Sequence, residues 1–164
     1  MTVKVSKPAI NVREKLAELD YGHVPYHKMP AGSVIQVVEN SSVTTGFTTT
    51  STSAVDTGIS ITISPKQANS KLIISFNCSS QSSVASHIGF YIYKGSSPVI
   101  ASTWGNWAGG TGGVTQTSLV SVSENASTTA ARTYKVFTKS HNGQTIYAPH
   151  SGTIISATVM EIAQ

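Results

Sequence analysis

The 164-residue sequence predicts a mainly β protein: an antiparallel β-sandwich of jelly-roll type, preceded by an extended arm and one short helix. Three observations carry that expectation. After Met29 the chain is a succession of short apolar runs of strand length, divided by Gly, Pro, Asn and Ser clusters. Several runs alternate apolar and polar residues, the period of a sheet with one face in the core. No 3.6-residue periodicity interrupts them once the first two dozen residues are past.

Residues 1–28 are expected to form a separate module, and residues 29–164 the sandwich domain. Met1 to Ile10 reads as an extended arm. Asn11 to Asp20 reads as a short amphipathic helix: Asn11 caps it and Glu14, three residues on, reaches back to the cap amide. Val12, Leu16 and Leu19 share one stripe, and Gly22 follows the end, where a left-handed residue suits the C-terminus. A helix this short is marginal in water. Val12, Leu16 and Leu19 are therefore the expected docking contacts on another protein. Pro25 and Pro30 exclude a regular helix in the connector that follows.

In the domain, Ser33–Val38 is the first expected strand. Thr57–Ile63 alternates strictly, with Ile59, Ile61 and Ile63 on one face; Lys71–Cys78 does the same with Leu72, Ile74, Phe76 and Cys78. His87–Tyr93 sets Ile88, Phe90 and Ile92 against Tyr91 and Tyr93. Shorter candidates are Val99–Thr103, Ser118–Ser123, Thr133–Thr138 and Gln144–Ala148. Thr153–Ile162 is apolar on both faces, which predicts a strand inside the structure or pressed against a neighbouring subunit. Asn142-Gly143 predicts a hairpin between the two strands flanking it. Ser41–Ser53 and the glycine-rich Gly105–Thr115 are expected loops.

Composition narrows the function. Charged residues make up 11% of the chain against about 25% in an average domain. The net charge of +4 reflects scarce acids, for none occurs between Asp56 and Glu124. No Lys/Arg cluster with interleaved aromatics forms a nucleic-acid stripe, so nucleic acid is not an expected partner. Cys78 is the only cysteine, which excludes an intrachain disulfide and a thiolate metal cage; a buried inert thiol is expected. No signal peptide or membrane-spanning run is recognisable. No two acids are spaced as a glycosidase pair, and no Gly-x-Ser-x-Gly elbow occurs, so neither an enzyme nor a cofactor is expected. The histidines are dispersed and no metal site is expected, with one exception to check. A threefold axis can gather one histidine per chain, and His23 or His27 is placed for that.

Trp104 and Trp107, with Asn106 and Thr111, form the most suggestive local constellation. Indoles stack on sugar rings, and the two polar side chains can hydrogen-bond hydroxyls, so these four are the candidate ligand site for a host surface polysaccharide. The alternative is that the tryptophans pack at the end of the sandwich or at a subunit contact.

Lys7–Asp20, KPAINVREKLAELD, resembles an N-terminal module of virion proteins of tailed bacteriophages, including tail fibres. Met29–Val38, Asp56–Asn77, Arg132–Thr138 and Ile155–Gln164 resemble parts of small β domains of phage structural proteins. The resemblance implies a virion protein made in the host cytoplasm: a homotrimer attached to another virion protein of tail or capsid. It implies a tail fibre or short tail appendage first and a capsid decoration protein second. Fibres that carry the module continue into a longer chain, and this sequence holds one β domain. A free carbohydrate-binding module and a depolymerase are the readings from other classes.

Overall fold

The computed structural model describes residues 25–43, 46–84, 86–108, 116–152 and 154–164; of these, the side chains at 42–43, 100–108 and 116–118 are outside the description. The expected arm and helix, with Val12, Leu16 and Leu19, and also His23, lie outside the described residues. Among the described residues a 3₁₀ turn, Tyr26–Lys28, precedes ten strands. These are β1 (Val34–Val43), β2 (Thr48–Thr49), β3 (Val55–Ile63), β4 (Lys71–Ser82), β5 (Ser86–Lys94), β6 (Ser97–Ala108), β7 (Gln116–Asn125), β8 (Arg132–Ser140), β9 (Ile146–Tyr147) and β10 (Ile154–Ile162).

Every pairing is antiparallel. One sheet runs β1-β10-β4, with β7 on the other side of β4 and the short β9 and β2 continuing past the end of β10. The second sheet runs β3-β8-β5-β6. Apart from β2 and β9, first strand pairs with last, second with penultimate, and so inward to β5 and β6. The result is a mainly β, antiparallel sandwich.

Alternation fills the space between the sheets. Leu72, Ile74 and Phe76 of β4, Ile155, Ala157 and Val159 of β10, Ile61 and Ile63 of β3, Ile88, Phe90 and Ile92 of β5, and Tyr134 and Val136 of β8 form one buried cluster. Each fully buried large apolar side chain contributes about 1.5–3 kcal/mol relative to exposure. Cys78 lies in that cluster, as expected, and burial pushes its thiol up to about 12.

Three local expectations are corrected. Ser41–Ser53 is not a plain loop: β1 continues through Val43 beside β10, and Thr48–Thr49 pairs with β9. Gly105–Ala108 belongs to β6, where Gly105 falls at a register shift between Asn106 and Trp104; residues 109–115 lie outside the description. Asn142-Gly143 is a crossing between sheets, not a hairpin, because β8 pairs with β3 and β5 while β9 pairs with β2 and β4. Gly143 has a left-handed φ of 75°, and the Asn142 side-chain oxygen accepts a 2.6 Å bond from Ser86 Oγ. The turn chemistry is real, but its use is to hold the corner.

Candidate functional site

The outward side of β3-β8-β5-β6 gathers aromatic, lysine and histidine side chains that half-bury one another, with Tyr91 itself buried. Because Phe90, Ile92 and Val136 point into the core, Gly89, Tyr91 and Tyr93 of β5 and Lys135, Phe137 and Lys139 of β8 share the outer side. Tyr93 and Phe137 stack with ring centroids 4.0 Å apart and planes 23° apart. Lys139 Nζ lies 5.5 Å from the Tyr91 ring centroid, a cation–π contact. Gly89 allows that arrangement: a Cβ there would stand 3.2 Å from Tyr91 Cε2 and 3.3 Å from Lys139 Cγ. Lys135 pairs with Asp56 at 2.8 Å, and His87 and His141 meet edge to face at 5.7 Å.

Three of the four sequence-predicted residues lie on β6, the strand paired with β5. Trp104 stands opposite Gly89 and Trp107 opposite His87 on β6, while Asn106 stands opposite Ile88. The tryptophans are therefore strand residues, not loop residues. Thr111 lies outside the described residues, so the predicted foursome is gathered only in part. Tyr91 and Tyr93 were legible as an outward alternation, but only the pairing of β5 with β8 makes Phe137 their neighbour.

The described carboxylates offer no acid pair. Glu161 is fully buried on the inner side of β10. Burial alone would raise its pKa, but the backbone N–H groups of Lys66 and Gln67, Ser70 Oγ and Gln36 Nε2 all donate to it and hold it below the ordinary carboxylate range. Glu124 resists the same desolvation through Lys94 at 2.7 Å, the Tyr134 hydroxyl and Arg132 at 3.2 Å, and its pKa is also lowered. Burial and Glu124 together push the Tyr134 hydroxyl far up. Asp56 is lowered by Lys135 and the Gly58 N–H, which outweigh its desolvation. A lowered carboxyl is a poor general acid at neutral pH. Each of these three groups fastens a turn or a sheet edge.

Among the described residues no group of three His, Cys, Asp or Glu is placed to hold a metal ion, and no helix is long and apolar enough to cross a membrane. His27 lines a polar cleft of about 300 Å³ with Met29, Gln67, Ala68, Asn69 and Gln164, where the chain enters the sandwich.

No family model matches the chain, and no curated protein matches it.

Proposed function

We propose that the protein is a non-enzymatic structural component of a tailed-bacteriophage particle: a homotrimeric tail fibre or short tail appendage. In this reading residues 1–28 attach it to another virion protein through Val12, Leu16 and Leu19. The outer face of β3-β8-β5-β6 meets host surface glycan, with Tyr93, Phe137, Trp104 and Trp107 as stacking groups and Lys139 beside them. Capsid decoration, with the same arm gripping capsomers, is the second placement.

The observation that carries the reading is an apolar surface the domain does not cover itself. Val37 is 55% exposed, Leu119 71% and Ile154 70%, all on strands of one sheet. A domain with a complete core and several exposed aliphatic side chains on one weakly charged sheet suits a part that is assembled. The nested pairing of the eight long strands supports the jelly-roll form of the sandwich. The individually partnered carboxylates support a scaffold and not a hydrolase. The resemblance of Lys7–Asp20 supplies the particle.

Quantitative mass spectrometry of gradient-purified phage particles tests this. The protein is expected as a stoichiometric component. Dozens of copies or fewer per particle place it on the tail, and hundreds place it on the shell. Its absence from infectious particles sinks the proposal.

A further inference from the structure

Asn142-Gly143, the pair at the crossing from β8 to β9, has no part in the function proposed above. Of the seven asparagines in the chain, Asn142 alone precedes a glycine. A glycine nitrogen carries no neighbouring side chain to keep it from the asparagine amide, so this dipeptide is the one best able to react with itself. The surrounding fold decides whether that encounter is hindered or helped.

The turn is fastened on both sides. Ser140 N–H donates to the Ser51 carbonyl at 2.8 Å and His141 N–H to the His87 carbonyl at 3.1 Å, while the Thr145 carbonyl accepts from Ser83 N–H at 3.0 Å. Between these anchors Asn142 and Gly143 are exposed to water. Among the described residues the Gly143 N–H donates to no partner. A Cβ at Gly143 would meet only the Thr50 carbonyl oxygen, 4.0 Å away, so the nitrogen is uncrowded. The Asn142 side chain, by contrast, is engaged: Ser86 Oγ donates to its Oδ1 at 2.6 Å. Ser86 is buried at the start of β5, the strand beside β8, and is held in place there. A fixed donor on a carbonyl oxygen stabilises the oxyanion that forms when the carbonyl carbon is attacked.

We propose that Asn142 is a self-modification site, converted to an acidic residue in the folded protein. The Gly143 nitrogen bonds to Asn142 Cγ while its proton passes to water, and negative charge develops on Oδ1 under the Ser86 hydroxyl. The Cγ–Nδ2 bond then breaks, and the departing nitrogen takes up a proton and leaves as ammonia. Water opens the resulting cyclic imide at either of its carbonyl carbons, giving aspartate by one route and isoaspartate by the other. Water is the only co-reactant, and nothing is oxidised or reduced. The new carboxylate lies beside Ser86 and next in sequence to His141, whose ring meets His87 edge to face at 5.7 Å. Isoaspartate also lengthens the main chain by a methylene at the crossing between the sheets.

The test is incubation of the full chain at neutral and mildly alkaline pH. Isoelectric focusing follows the charge, an ammonia assay follows the leaving group, and peptide mapping with fragmentation that separates aspartate from isoaspartate locates the site. An acidic form modified at Asn142 is expected while circular dichroism still reports the native fold, and it is expected sooner at the higher pH. Folded Ser86→Ala is expected to convert roughly tenfold more slowly, a smaller loss than for an oxyanion donor in an enzyme because this turn is wet. The wild-type chain unfolded in urea loses the Ser86 contact and is also expected to convert more slowly. A folded wild type that keeps Asn142 intact, an unfolded chain that converts faster, or a Ser86→Ala protein that matches the wild type overturns the proposal. The reaction needs only the folded chain and water, so its outcome is independent of any place in a virus particle.

Discussion

Glu161 shows how a single residue can be conspicuous in the fold and nearly silent in the sequence. Its neighbours alternate as an ordinary strand, and on the inner side its position follows Ile155, Ala157 and Val159. A carboxylate is stable there because donors from β1 and from the β3–β4 turn converge on it, and those donors are 91 to 125 residues away along the chain. No local pattern carries that information. Buried charge-assisted bonds are costly to break, because removing the acceptor strands the donors. Glu161→Ala is expected to lose roughly 3 kcal/mol of stability in urea denaturation. The pH dependence follows from the same chemistry. Asp56, Glu124 and Glu161 all have lowered folded-state values, so the unfolded chain takes up protons first as pH falls. Their stabilisation is therefore complete above about pH 4.5, the region where unfolded carboxyls titrate, and is lost as pH drops through the folded values. The urea midpoint is expected to be flat from pH 7 to 5 and to fall steeply below 4.

At the level of elements, alternation identified strands well and said little about which strand lies next to which. Thr57–Ile63 and Lys71–Cys78 are found as β3 and β4, with Ile61, Ile63, Leu72, Ile74 and Phe76 in the core, because a period of two is a direct record of a half-buried sheet. Thr153–Ile162, whose two apolar faces predicted a strand inside the structure or against a neighbouring subunit, holds β10, flanked by β1 and β4. The Asn142-Gly143 expectation failed for a physical reason: a left-handed glycine makes a sharp turn whether or not the flanking strands then pair. Here the following segment leaves for the other sheet. Short β2 was missed for a related reason, since a two-residue pairing has no periodicity to read, whereas β9 lies within the expected strand Gln144–Ala148. Gly89 is where the packing between β5 and β8 can be tested. Its missing side chain lets Tyr91 and Lys139 close over β5, and an added methyl meets both at 3.2–3.3 Å. Gly89→Ala is expected to cost about 1 kcal/mol in thermal or urea denaturation and to alter the near-ultraviolet circular dichroism of the tyrosines. An unchanged tyrosine spectrum would show that the rings have room to spare.

For the whole molecule, the two outer faces of the sandwich differ in chemistry. Among the described residues one is rich in aliphatic and hydroxyl side chains; the other carries stacked aromatics, lysines and histidines. Neither division was visible in the sequence, because each face is built from strands far apart in the chain. Alternation did separate inward from outward residues, as with Tyr91 and Tyr93 opposite Ile88, Phe90 and Ile92. The central claim is that this sandwich, complete in its own core, is built to be joined to copies of itself. Native mass spectrometry of the full chain reads that claim as an integer. Three copies of the 17.2 kDa chain in one particle is the expected result. A spectrum containing only the single chain at micromolar concentration would contradict it.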